Sequence, residues 1–328
     1  MIMGYKSTNG LMKHLRSKGI SISNSTQKRQ LINTGYYHGY KGYRFFKTAS
    51  NCIPFSSYEE VYATIQYDTK LKALLYSKIM FIETALKNIS LNCILKSVGT
   101  ENINDMLDKV VGSYRNAPAS STTNAKKALQ AKKLSLQATV QSSLSRAYRN
   151  KNRMITHFYD HMSYDHVPVW ALFEIMTMGD FGFLLECLTY AVRDLISREI
   201  GLNLSSDTNR ELIYNYIYAL KDLRNAVAHN DVIFDTRFRR IEPTKPMRQC
   251  LKLEIGLPYV NYKDIGDYII LISYFLKLLK ISKTEIKSFI REFEKMTTDY
   301  QGSVGAKVAS KVIHIDLFSR MKILNNYI

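Results

Sequence analysis

With 328 residues, 46% of them hydrophobic, the chain can bury one large core or two ordinary ones and is not a disordered protein, while only six Pro and 15 Gly favour long helices over strands and turns. Lys and Arg total 46 against 28 acidic residues, and the net charge of +18 points to a polyanion, nucleic acid before an anionic membrane surface. Cys52, Cys93, Cys187 and Cys250 are far apart and form no CxxC pair, which excludes a zinc module and a disulfide framework and fits a reducing cytoplasm.

The stretch up to Lys18 has no apolar signal core. Leu11, His14 and Leu15 predict a short helix that stops at Gly19, and Ser25–Leu31 opens a second. The run from Tyr36 to Phe46 then sets aromatic rings between glycines and cations. It has two readings: an aromatic cluster that docks this arm onto the core, or base stacking with flanking phosphate contacts. On the second reading Tyr36, Tyr37, Tyr40, Lys41, Tyr43 and Arg44 contact RNA.

Residues 57–98 predict one long helix or a kinked pair, because Ile65, Leu71, Leu75, Ile79, Ile82, Leu86 and Ile89 recur mostly at helical spacings. Glu83 falls among these apolar positions and should meet a cation from another helix. Between residues 109 and 159 there are ten basic residues and no Asp or Glu. A loop-like stretch around Pro118 leads into a helix over Lys126–Tyr148. Solvated helix faces normally mix signs, so the absence of acids nominates Lys126, Lys127, Lys132, Lys133, Arg146, Arg149, Lys151 and Arg153 as an RNA-contacting arm.

His157, His161 and His166 cluster with Asp160 and Asp165, but at no standard metal spacing, and no metal or other cofactor is expected. Phe173 and Glu174 belong to a helix ending near Gly179, and Phe181–Ile200 reads as another. The clearest helix runs from about Thr208 to His229, capped by Ser206 or Asp207, with Leu212, Ile213, Tyr216, Ile217, Leu220, Leu223 and Val227 as its stripe. Beyond Asn230 the arginines and Pro243 and Pro246 read as a loop. Two helices follow over 263–297, and Val312–Leu317 is a possible strand. The longest apolar run, Tyr268–Leu279, contains Ser273 and Lys277 and is too short to span a bilayer; no membrane partner is expected.

The chemistry concentrates in Leu223–Asn230, which holds Arg224, Asn225 and His229. At ~100° per residue, Arg224 lies about 40° from Leu220 at the border of the stripe, and Asn225 and His229 point to the far side. RNA can be cut without metal if a base takes the 2′-hydroxyl proton, an acid protonates the leaving 5′-oxygen, and cations steady the phosphate. His serves either proton role, and Arg offers a permanently charged fork. One His cannot readily do both jobs, so two copies facing each other would complete the set. The competing reading is structural: a His in a last helical turn suits the macrodipole, and Asn230 is a natural C-terminal cap.

Four blocks in order carry a family resemblance: Leu11–Phe46; Ile65–Lys72 with Ile82, Glu83, Leu86 and Lys87; His157–Tyr159 with Pro168–Trp170, Glu174, Met178 and Gly179; and Leu223–His229. On these the chain resembles the Abi-like family of bacterial abortive-infection proteins, the AbiD/AbiF group, whose core is a HEPN ribonuclease domain. Lys70 and Lys72 depart from it, standing where arginines are more usual. The resemblance implies an all-α HEPN-type helical bundle. The chain itself reads as an aromatic and basic arm over 1–50, a core over 51–235 carrying a basic insertion at 109–153, and a helical extension over 236–328; the insertion and the extension lie outside the resemblance and rest on composition alone. The resemblance also implies catalytic Arg224 and His229 with Asn225 as companion, a composite site in a homodimer, and a cytoplasmic endoribonuclease toxin of anti-phage defence. A small structured non-coding RNA that restrains the protein is implied as a partner beside the substrate RNA. The alternative is a non-catalytic RNA-binding protein that uses the basic segment and the arm. Nucleotide transfer onto Tyr214 or Tyr218 is a third reading.

Overall fold

The computed structural model describes residues 6–161 and 167–328. Among them every regular element is helical and only isolated bridge pairs occur. In chain order these are α1 (Thr8–Arg16), α2 (Ser25–Thr34), a π-helical turn (Gly35–Lys41), α3 (Tyr58–Val98), α4 (Ile103–Lys109), α5 (Thr123–Arg149), α6 (Arg153–His161), α7 (Val169–Ile175), α8 (Met178–Cys187) and α9 (Tyr190–Ile200). After a single 3-10 turn come α10 (Leu212–Ala228), α11 (Lys245–Ile255), α12 (Ile265–Leu278), α13 (Lys283–Ser303), α14 (Ala306–Val312) and α15 (Leu317–Tyr327). The chain is all-α, and no helix of the described residues is long and apolar enough to cross a membrane.

Two compact units emerge, each assembled from separated stretches of chain. The first takes residues 1–79, 222–240 and 251–328. Its centre is α12, buried from Ile265 to Leu276 on every side, as expected of a helix that is apolar all round. Within this unit Tyr67 of α3 stacks on Tyr300 of α13 at 4.6 Å, and each phenol meets a threonine: Tyr67 with Thr297 at 3.0 Å and Tyr300 with Thr64 at 2.9 Å. Arg320 of α15 is fully buried and donates to Asp264 at 2.9 Å, Asp267 at 2.6 Å and Asp316 at 3.2 Å, which pins the last helix to the start of α12.

The second unit takes residues 80–221 and 241–250. Here α5 lies along α7 and α8. Gly182 of α8 lets α10 approach, since a Cβ there would sit 2.8 Å from the Tyr218 ring. Tyr218 then reaches Glu186 at 2.8 Å, and Tyr216 donates to the Met247 carbonyl at 3.1 Å.

Several local expectations change. Of the two readings for residues 57–98, one continuous helix is present, Tyr58–Val98, and along it Glu83 pairs with Lys87 one turn on at 3.0 Å. The helix expected over Phe181–Ile200 is two, α8 and α9, because the chain turns extended at Leu188 and Thr189. Thr177 starts α8 with a reciprocal cap to Asp180, which breaks the chain before Gly179. Helix α10 begins at Leu212, and Asp207 still caps it by accepting from the N–H groups of Glu211 and Leu212 at 2.7 and 3.1 Å. The stretch around Pro246 is not all loop. Pro246 fits the first turn of α11, where its missing N–H costs nothing, and Met247, Cys250, Leu251 and Ile255 form the buried face. No strand forms over Val312–Leu317, which joins α14 to α15.

Replacing Arg320 by Met would leave the buried carboxylates of Asp264 and Asp267 without their cation beside the half-buried Asp316. Arg320→Met should lower unfolding free energy by about 3–5 kcal/mol, read as an earlier midpoint in urea.

Candidate functional site

The end of α10 is closed by a left-handed residue. Asn230 has φ 57°, the Asp231 N–H reaches back to the Ala226 carbonyl at 2.8 Å and the Asn230 N–H to Val227 at 3.2 Å. This double closure is a Schellman motif with Asn in the place Gly usually holds. The capping role expected of Asn230 is therefore present, and it coexists with the polar cluster instead of replacing it.

That turn is fastened from below by one buried carboxylate. Asp68 of α3 is fully buried and accepts four donors: Lys72 Nζ at 2.9 Å, the Tyr43 hydroxyl at 2.8 Å, and the N–H groups of Ile233 and Phe234 at 2.9 and 2.8 Å. Lys72, itself buried, also donates to the Asn230 Oδ1 at 2.8 Å and carbonyl at 3.3 Å. A buried ion pair persists only when its remaining valences are satisfied, and this one is. Burial and the Asp68 carboxylate push the Tyr43 phenol far above its ordinary range, so it stays a neutral donor.

A second fastening lies at Asp235, directly after Phe234. Asp235 is fully buried and accepts the Lys47 N–H at 2.6 Å and Arg237 Nε at 2.9 Å. The Arg237 guanidinium continues to the carbonyls of Gly42 at 2.7 Å and Phe45 at 2.6 Å and covers the Phe45 ring at 4.2 Å. The N-terminal arm is therefore strapped to the turn that follows the motif. Asn230 completes the junction, with Nδ2 3.1 Å from Nε2 of His38 on the π-helical turn.

On this base Arg224 and Asn225 are half-buried and His229 is exposed. Arg224 Nη1 donates to Asn225 Oδ1 at 3.1 Å. Ala226 and Asp222 are buried, which centres the covered face nearer Leu223 than Leu220 and turns Arg224 further outward than its spacing from Leu220 indicates. The three motif residues thus share one accessible end of a rigid helix. No hydrogen bond fixes the His229 ring among the described residues, which leaves both ring nitrogens available for proton transfer.

The other nominated residues divide. Tyr36, Tyr40 and Tyr43 are buried, at 9%, 7% and 1% exposure, so these rings serve arm docking and offer no face for a base. Tyr37 is 74% exposed, with Lys41 Nζ 4.8 Å from its ring centre. Arg44 is half-buried. On α5, Lys133 is buried and pairs with Asp108 at 2.7 Å, Lys132 pairs with Glu186 at 2.7 Å, and Arg146 stands 3.9 Å from Asp180. Lys126, Lys127, Arg149, Lys151 and Arg153 make no ion pair among the described residues. Lys127 and Arg115 line an open cavity of about 1010 Å³ near the start of α5.

His157 and His161 face each other at 5.5 Å, and Asp160 accepts from the Tyr148 hydroxyl; His166 and Asp165 lie outside the described residues. Tyr214 is buried and the Tyr218 hydroxyl is engaged by Glu186, so neither phenol is presented for nucleotide transfer.

Asp68, Lys72, His38, Asp235 and Arg237 were not nominated from sequence as site residues. One signal was available: Asp68 and Lys72 are charges one turn apart in an otherwise apolar stripe, a placement that is costly unless paired.

Among known protein families, the model for Abi-like proteins matches residues 29–235. The span covers well over half of the chain and holds the arm from the middle of α2 onward, the Asp68–Lys72 pair, the motif and Asp235. No curated protein and no solved structure matches.

Lys72→Met should strand the Asp68 carboxylate and loosen the Asn230 turn. Its cost should be about 3–5 kcal/mol, measured by urea denaturation, with earlier amide exchange at Ile233 and Phe234.

Proposed function

Because the chain belongs to the Abi-like protein family, which links it to abortive infection and phage defence, we propose that it is a metal-independent HEPN-type endoribonuclease toxin. The observation that carries this reading is the exposed His229 beside the Arg224–Asn225 pair, held at a helix end by a fully satisfied buried ion pair. Sites that transfer protons must hold their groups on rigid supports, and α10 with its Asp68–Lys72 fastening provides one.

In the proposed reaction the ribose 2′-hydroxyl attacks the adjacent phosphorus. His229 moves a proton, the Arg224 fork meets charge on the non-bridging oxygens, and Asn225 orients Arg224 through the 3.1 Å contact. Pairing two copies through this end of α10 would bring a second Arg224 and a second His229 to one phosphate, giving a composite site in a homodimer. The +18 charge supports RNA as the partner, both as substrate and as a small structured RNA that restrains the protein.

A second reading, RNA binding without cleavage, is favoured by the five cations of α5, α6 and the turn between them that lack ion pairs among the described residues. The two readings separate in one assay. His229→Ala and Arg224→Ala should each abolish RNA cleavage in EDTA and growth inhibition on induction, with unchanged helicity and thermal midpoint. Cleavage by His229→Ala at the wild-type rate would refute the site, and wild-type protein that only binds RNA would favour the second reading.

Replacing Lys126, Lys127, Arg149, Lys151 and Arg153 together by Gln should weaken single-stranded RNA binding and flatten its dependence on log salt. The slope should fall by about 0.7 for each phosphate no longer neutralised, measured by filter binding across a salt series.

A further inference from the structure

The proposed reaction needs an acid and a base in unlike protonation states. Two symmetric copies of His229 begin identical, so their pairing alone does not distinguish them. A second histidine meets the motif within the same chain. His38 is exposed on the π-helical turn, and its Nε2 contacts Asn230, the residue that follows His229. Such turns frequently mark functional positions.

The hydrogen-bond chain sets the polarity of the contact at His38. Lys72 can only donate, so Asn230 must turn Oδ1 toward Nζ, as it does at 2.8 Å. The amide then presents its Nδ2 donor to His38, whose Nε2 must accept at 3.1 Å. In this contact His38 turns the lone pair of Nε2 toward Asn230. Such a lone pair is what a general base requires.

We propose that His38 is a catalytic residue of this site, the base that accepts the ribose 2′-hydroxyl proton; the assignment rests on the ribonuclease reading above. A ribose hydroxyl donates with the same polarity as the Asn230 N–H and replaces it at Nε2. Its proton passes to Nε2 as the O2′–P bond forms. The P–O5′ bond breaks, and the leaving oxygen takes the proton carried by His229. The products are a 2′,3′-cyclic phosphate and a 5′-hydroxyl, and exchange with solvent resets both histidines. The same turn offers the exposed Tyr37 ring and Lys41, a stacking face beside a cation, where a flanking nucleotide of single-stranded RNA can rest.

The test is cleavage of an RNA oligonucleotide in EDTA by wild type, His38→Ala and His38→Asn, recorded as kcat and KM against pH, with and without added imidazole. Asn keeps an acceptor for the Asn230 N–H but takes no proton. Both variants should fold and bind a 2′-deoxy analogue like wild type, lose about 10²–10⁴-fold in kcat, and lose the limb of the pH profile that rises as a base deprotonates. Imidazole should restore part of the His38→Ala activity. Wild-type kcat in His38→Asn would make His38 an acceptor that positions Asn230 and would overturn the proposal, as would full activity in His38→Ala. Cleavage that is lost in His229→Ala but kept in both His38 variants sinks this assignment alone. A wild-type protein that cuts no RNA sinks the ribonuclease reading and the His38 assignment with it.

Discussion

The carboxylate of Asp68 is the constraint on which the end of α10 depends. Burying a carboxylate is unfavourable unless donors replace the water it loses. Its donors come from three places: Tyr43 in the arm, Lys72 one turn along α3, and the backbone at Ile233 and Phe234 beyond the motif. Satisfying one side chain therefore requires arm, long helix and post-motif turn to meet. Lys72 passes the constraint on to Asn230, and Asn230 sets the position of its neighbour His229 and the polarity of its contact with His38.

The reach of this network explains what could and could not be read from residue order. Long helices were legible because their stripes repeat: α3 and α10 emerge at nearly their observed limits, and the cap at Asn230 is local chemistry. Helix α11 was hidden by Pro243, Pro246 and a run of arginines, although its buried face has ordinary helical spacing. The breaks before α8 and α9 arise from short extended pairs, Met176–Thr177 and Leu188–Thr189, which periodicity passes over. In the site, Arg224, Asn225 and His229 lie within six residues and could be found together. Lys72 and Asn230 are 158 positions apart, and no local pattern joins them.

Charge shows the same difference between order along the chain and order in space. Residues 109–159 contain no acid, yet Asp108, Asp180 and Glu186 supply partners to α5 from neighbouring elements. What remains without an ion pair among the described residues is a smaller set of cations, Lys126 and Lys127 at the start of α5 and Arg149, Lys151 and Arg153 from its end to the start of α6. The aromatic arm is likewise divided: three of its tyrosines are buried in the junction, and Tyr37 is exposed.

The central claim is that the end of α10 cuts RNA by internal attack of the 2′-hydroxyl. The chemistry of the new RNA ends tests this most directly. Purified protein incubated with RNA in EDTA should leave 2′,3′-cyclic phosphate and 5′-hydroxyl ends, detected by end-specific ligation and mass spectrometry of the fragments. Fragments with 3′-hydroxyl and 5′-phosphate ends, which require water as the nucleophile, would contradict it.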